Sequence, residues 1–169
     1  MVEKYIKLVS GVPTESEATV QSTGATEAGK IIAADSNGKL DESWLPTGIG
    51  ADVAVVAASE NLGAGDLVNV YDDSGTPKAR KADASTAGKH AHGFVLDSVS
   101  SGANATVYFE GTIIGLTNVT AGDLYLSATT AGTFTATPPT GTGKVVQRIG
   151  VGTTSTTLNF ESGQRYMLA

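Results

Sequence analysis

Asn61-Leu62-Gly63-Ala64-Gly65-Asp66-Leu67 and Asn118-Val119-Thr120-Ala121-Gly122-Asp123-Leu124 are near-copies of one another, 57 residues apart. At the same offset Gly93 in HGFVLDS meets Gly150 in RIGVGTT. Val107-Tyr108-Phe109-Glu110 then meets Leu158-Asn159-Phe160-Glu161 at an offset of 51, so the first copy carries six extra residues in its VSSGANA loop. Three anchors in the same order mark an internal duplication, with copies at about 58–112 and 115–163. Two copies are too few for a solenoid, which needs three or more. The pattern predicts two half-barrels closing on one another.

The shared Ala-Gly-Asp-Leu element has a physical reason. Glycine permits a tight turn with positive φ. Aspartate can cap that turn through its own backbone. Leucine then starts a strand on the buried face. Alternation of period two in Leu67, Asn69, Tyr71 and in Thr106, Tyr108, Glu110 predicts strands. Ten are expected, near 53–58, 66–71, 77–81, 91–97, 104–110, 112–116, 123–127, 132–136, 145–151 and 155–160. The fold class expected is all-β: a small barrel or sandwich built from the duplication, residues 51–169, preceded by an extended N-terminal arm, residues 1–50.

The arm reads differently from the rest. VEKYIKLVSG alternates, with Tyr5 or Ile6 and Leu8 as candidate core positions, and suits a short strand or extended arm. TESEATVQSTGATEAGK is polar and Thr-rich, with too little apolar surface to build a core. Ile31-Ile32 is a short apolar pair, and Ser36-Asn37-Gly38 is a strong turn signal. Asp41-Glu42-Ser43-Trp44-Leu45 suits one helical turn, stopped by Pro46. Trp44 is the only tryptophan. Its ring needs a surface to bury against, and the C-terminal domain and a neighbouring subunit are the two candidates. Gly48-Ile49-Gly50 reads as a hinge.

Composition narrows the function. The chain has 169 residues, a net charge of −6, two histidines and no cysteine. Disulfides, thiolate metal sites and a cysteine nucleophile are excluded. A basic stripe for nucleic acid is not expected at this charge. No run of about 18 apolar residues exists to span a membrane, and no signal peptide is visible, so folding inside a cell is expected. Glycine contributes 21 residues, where the usual ~7% would give about 12. With mean hydropathy near zero, that profile fits short strands and many turns rather than disorder.

Chemistry-bearing patterns are few. His90-Ala91-His92 places two rings on one strand face, within reach of one ion. No third ligand is evident beyond Asp97, so no metal is expected unless a threefold axis gathers three copies. Asp72-Asp73 and Asp41-Glu42 lack the opposed geometry of a glycosidase pair and read as turn chemistry. GIGAD and TGTGK do not match a phosphate loop. No Gly-x-Ser-x-Gly elbow occurs. Lys78, Arg80 and Lys81 form the one basic cluster, most simply a solvated strand face. No cofactor and no catalytic residue are expected.

GKIIAADSNGKLDESWLP, residues 29–46, resembles the G-K-[IV]-[IV]-x-x-D-x-x-G-K-L-D-x-S-x-[LM]-P stretch of tailed-phage structural proteins, found in tail fibres and in capsid decoration or head-fibre proteins. KYIKLVSGVPTESEATVQSTGATEAGK is similar to the N-termini of such proteins, and ENLGAGDLV through EGTI, residues 60–113, to their β-rich head modules. The resemblance implies a β-rich, often trimeric virion protein on the capsid exterior, assembled in the host cytoplasm. It implies the major capsid protein and a homotrimer as partners, with neither nucleic acid nor membrane. Its work would be to clamp neighbouring capsomers without catalysis. The alternative is a short tail-fibre or receptor-binding protein recognising host-surface glycans through Tyr71, Tyr108, Tyr125 and Phe134. The capsid or trimer interface is expected at Tyr5, Ile6, Leu8, Ile31, Ile32, Trp44 and Leu45, apolar side chains in a segment without a core of its own.

Overall fold

A computed structural model describes residues 3–45 and 52–169. The expected Gly48-Ile49-Gly50 hinge and the Pro46 stop lie outside the described residues. The chain divides into two compact units, Met1–Gly50 and Ala51–Ala169.

The first unit opens with a hairpin. Strands β1 (Lys4–Val9) and β2 (Val12–Glu17) pair antiparallel, with Val9 opposite Val12. Ser10 and Gly11 both have positive φ, 51° and 82°, the signature of a two-residue type I′ turn that matches strand twist. The sequence predicts only one extended segment here, because Thr14–Glu17 is too polar to read as a strand. The local turn, not hydrophobic burial, forms the second strand. Thr19 then bridges Ile32 in parallel, and a 3-10 turn spans Glu42–Trp44, where a helical turn is expected. No described residue of this unit is buried. Ile6 and Leu8 are therefore not core: they stand 66% and 71% exposed.

The second unit is all β. All ten expected strands are present, and the core is apolar. In chain order they are β3 (Val53–Ala58), β4 (Leu67–Asp73), β5 (Thr76–Lys81), β6 (Gly93–Phe94), β7 (Asn104–Tyr108), β8 (Glu110–Ile113), β9 (Gly122–Leu126), β10 (Phe134–Thr135), β11 (Val145–Thr154) and β12 (Thr157–Glu161). A further short strand, β13 (Arg165–Met167), pairs with β11.

Strand order exposes the duplication. The first five strands close a barrel in the order β3-β5-β4-β6-β7. The next five form a sheet in the order β10-β9-β11-β12-β8. Replacing each strand of the first copy by its counterpart five places on gives the same cycle, with one pairing absent: β8 to β10. Each copy is thus a five-strand barrel, the first closed and the second open at one seam. Two half-barrels closing on one another are not what forms. β3 belongs with the first copy and β8 with the second.

The first copy fills the open seam. Gly65 has φ +81°, and a Cβ there would sit 2.7 Å from Leu116 Cδ2 and 3.8 Å from Ile113 Cγ2, beyond the end of β8. On the other side the Leu67 N–H donates to Gly132 O at 2.8 Å, just before β10. The Gly65-Asp66-Leu67 turn occupies the space where β8 and β10 would meet. Accordingly Leu67 and Phe94 share one buried cluster with Ile113, Leu124, Ile149 and Phe160 of the second copy. The interior of the closed barrel is a separate cluster around Val68, Val95 and Val107. Phe94 stands at the junction, with ring centroids 5.5 Å from both Tyr108 and Phe160.

The anchor glycines are equivalent in space as well. A Cβ on Gly93 would lie 2.3 Å from Tyr108 O, and one on Gly150 would lie 2.0 Å from Asn159 O. Tyr108 and Asn159 are themselves counterparts in the two copies. Glycine stands at both positions because the next strand's carbonyl passes where a side chain would begin.

Candidate functional site

The described residues of Met1–Gly50 are held by hydrogen bonds rather than by a core. The Thr19 N–H donates to Ile31 O and the Ala33 N–H to Thr19 O, each at 3.0 Å. The Ser22 N–H donates to Ser43 Oγ at 2.7 Å, and Gln21 Nε2 to Asp41 Oδ2 at 3.1 Å. In the phage-like stretch, Asp35 organises the Ser36-Asn37-Gly38 turn: its Oδ1 accepts from the N–H groups of both Asn37 and Lys39 at 2.8 Å. Those donors favour the charged carboxylate, the Lys39 bond most, and hold Asp35 below its ordinary pKa.

The seven interface candidates fall into three places. Ile6 and Leu8 share one face of the hairpin with Pro13, which lies opposite Leu8. Tyr5 lies on the other face, half-buried, with its hydroxyl enclosed and unpartnered. Ile32, 43% exposed, is the residue bridged to Thr19, and Ile31, 53% exposed, precedes it. Trp44 is half-buried and its indole N–H donates to Val20 O at 2.8 Å, so its polar partner lies in its own unit. Leu45 beside it is exposed. Val9, Val12, Val20 and Leu40 are exposed too. Val12 and Pro13 could have been found from the Ser10-Gly11 turn, which folds them back onto β1.

In the duplicated unit the basic cluster is spent internally. Lys78 Nζ pairs with Asp73 at 2.6 Å and Lys81 Nζ with Asp66 at 3.0 Å. Arg80 donates to Asn69 Oδ1 and Gly88 O, and lies 4.2 Å over the Tyr71 ring. Asp72 accepts from the Gly75 N–H at 3.2 Å, as turn chemistry requires. The duplicated aspartates differ. Asp66 caps its turn from the Gly63 N–H at 2.7 Å, whereas Asp123 pairs with Arg148 at 2.8 Å. Asp52, Glu110 and Glu161 line one open cleft, and Glu110 faces Glu161 across the β8–β12 ladder. Arg148, 3.7 Å from Glu161, offsets that like-charge pairing. The four aromatics of the glycan reading, Tyr71, Tyr108, Tyr125 and Phe134, are each partly buried.

His90 and His92 meet each other. Their Nε2 atoms are 2.6 Å apart, and His92 Nδ1 accepts from the Val70 N–H at 3.0 Å. Burial, then His92 and the Arg165 guanidinium, push His90 down to about 4. His92 is lowered by burial first and by Arg165 second. Among the described residues no third histidine or carboxylate joins them. Between the two rings, Ala91 is bound by Gln147, a fully buried side chain of β11. The Ala91 N–H donates to Gln147 Oε1 and Gln147 Nε2 donates to Ala91 O, both at 2.8 Å.

No protein-family model matches the chain. No curated protein matches it either. Among solved structures, the N base of head fibre gp8.5 in bacteriophage phi29 overlaps 69% of this chain and 100% of its own, at 18% identity and a TM-score of 0.41. An overlap of that size leaves function to be argued from the chain's own residues.

Proposed function

We propose that the chain is a structural virion protein of a tailed phage, a decoration (cement or head-fibre) protein bound to the outer surface of the capsid shell. One observation carries this reading. The Met1–Gly50 unit has no buried side chain among its described residues, yet it turns Ile6, Leu8, Ile31, Ile32 and Leu45 to solvent. A unit of about 50 residues with no core and no cysteine needs a partner surface to be stable. The stretch that presents these side chains is the one that resembles phage structural proteins.

In this reading residues 1–50 anchor the chain and trimerise it. The major capsid protein supplies one partner surface and further copies of the chain supply the other. Burying apolar side chains at about 25 cal/mol per Å² provides the attachment. Three linked copies raise the effective concentration of each weak contact. Because the clamp binds only the assembled shell, it stabilises neighbouring capsomers against dissociation by mass action. No bond is made or broken in this task.

Co-sedimentation of the full chain with expanded, undecorated shells tests the proposal, with intact host cells run in parallel. Saturable pelleting with shells is the expected result, and its stoichiometry gives the symmetry site. Pelleting with cells alone would make the chain an adsorption protein and overturn the proposal.

A further inference from the structure

The segment 87–92 lies where the two barrels join, and it is bound from both sides. From the first copy, Asn69 Nδ2 donates to His90 O at 2.8 Å and Arg80 Nη2 to Gly88 O at 2.9 Å. From the second, Gln147 makes its paired bonds to Ala91, and Ser162 Oγ donates to Ala91 O at 3.2 Å.

The proton inventory of the histidine pair follows from its partners. His92 Nδ1 accepts the Val70 N–H, so the ring proton of neutral His92 is on Nε2. That proton faces His90 Nε2, which must accept it, and His90 holds its own proton on Nδ1. Both acceptor nitrogens of the neutral pair are then occupied. Any further proton enters at His90 Nε2, breaking the bond between the rings, or at His92 Nδ1, breaking the bond to Val70. Either way a donor is turned against a donor.

We propose that His90 and His92 form an acid-released clasp at the junction of the two barrels: mild acid breaks the ring-to-ring or ring-to-Val70 bond and frees segment 87–92.

The charged groups around the pair favour release. Arg165 on β13 faces both rings, and Arg165 and His90 line the same small cavity. Arg80 on β5 is bonded to Asn69 and Gly88, whose neighbours are the clasp itself. Lys89 adjoins His90 in the chain, and its carbonyl accepts the Asp83 N–H at 2.7 Å. The Asp83 carboxylate is engaged by the Ser85 N–H at 2.7 Å. Gln147 on β11 and Asn69 on β4 are neutral. Among the described residues no carboxylate is bonded to either ring. With the folded-state pKa lowered, the clasp contributes fully above the ordinary histidine value of about 6.5. That contribution is lost progressively as pH falls from there, and is gone below about 4.

Nitrogen-15 NMR of the full chain tests this. At pH 7 the rings should show protonated Nδ1 in His90 and protonated Nε2 in His92. On acidification the Val70 and Ala91 amide signals should move with the same midpoint as the His90 ring, well below 6. Ala91 amide exchange, corrected for intrinsic rate, should rise at least about tenfold between pH 7 and pH 5. In the double variant His90→Gln, His92→Asn the side-chain oxygens stand where the two acceptor nitrogens were but take up no proton, and the rise should shrink to under about threefold. Ordinary titration of both rings near 6.5, Val70 and Ala91 amides indifferent to ring titration, or an equal rise in the double variant would each overturn the proposal. If the variant does not fold, the ring titration of the natural chain decides alone. None of these readouts depends on shell binding.

Discussion

Replacing Gly150 by alanine should be severely damaging, and Gly93→Ala is the matched comparison. In Gly150→Ala the new Cβ would be 2.0 Å from Asn159 O and 3.0 Å from both Asn159 C and Phe160 Cα. Carbon and oxygen rest roughly 3.3 Å apart, so β11 and β12 must part by about 1 Å. That stretches an adjoining ladder bond past ~3.5 Å, where it is no longer a hydrogen bond. Each bond so lost costs about 1 kcal/mol net. The residue also has φ +136°, a conformation that costs a side-chain-bearing residue about 1–3 kcal/mol. Together the loss should be about 2–4 kcal/mol, against a total of roughly 5–15 for a domain.

Gly93→Ala meets Tyr108 O at 2.3 Å and Val107 Cγ1 at 2.8 Å, with no left-handed φ to add. It disturbs only the two-residue strand β6, which pairs Phe94 with Tyr108. Overpacking of this kind costs about 2–3 kcal/mol. Urea denaturation of the full chain, followed by far-ultraviolet circular dichroism, measures both. Gly150→Ala within about 1 kcal/mol of the natural chain, or Gly93→Ala the worse of the two, would refute the reasoning.

Three further outcomes follow from the same contacts. Gln147→Met, similar in volume, leaves the buried Ala91 N–H without an acceptor and should cost about 2–3 kcal/mol by urea denaturation. Trp44→Ala removes the indole bond to Val20 O and should lower both trimer mass by light scattering and shell pelleting; no change in either would remove Trp44 from the interface. The double variant Ile6→Asp, Leu8→Asp places charge on an exposed hairpin face and should abolish shell pelleting while shifting the thermal midpoint of the second unit by under about 2 °C.

The second unit was legible because its signals are local and repeated. Period-two alternation marked β4 and β7, and the Gly93–Gly150 match found the equivalence of β6 and β11. The reason for those glycines, a carbonyl on the next strand, is a long-range fact that no spacing reveals. Strand β13 escaped notice because three residues carry no periodicity. In the first unit hydrophobic reasoning failed for β2, since Thr14–Glu17 buries nothing and owes its pairing to Ser10-Gly11. The bond from the Trp44 N–H to the Val20 carbonyl is a long-range contact that no spacing reveals, since it depends on 19–22 being hydrogen-bonded to both 31–33 and 41–44. His90 and His92 do come together, but 90–92 precedes β6 and is not the strand face that the i, i+2 spacing predicts. That they would satisfy each other depends on Val70 and Gln147, contributed from different copies.

The seam explains why the copies diverged. In the first barrel β3 and β5 close the cycle through two residue pairs, Ala57 with Lys78 and Ala58 with Ala79, both in register in parallel. The counterpart β10 is two residues long, and the Gly65-Asp66-Leu67 turn stands between it and β8. A closed second barrel would expel Leu67 from the shared cluster, exposing a side chain worth about 1.5–3 kcal/mol when buried. Two short parallel pairs would not repay that loss, since each backbone bond nets only about 1 kcal/mol. Opening one barrel to receive the turn of the other therefore joins the copies through one shared cluster. Neither copy completes its packing alone, because Leu67 and Phe94 of the first are buried among Ile113, Leu124, Ile149 and Phe160 of the second.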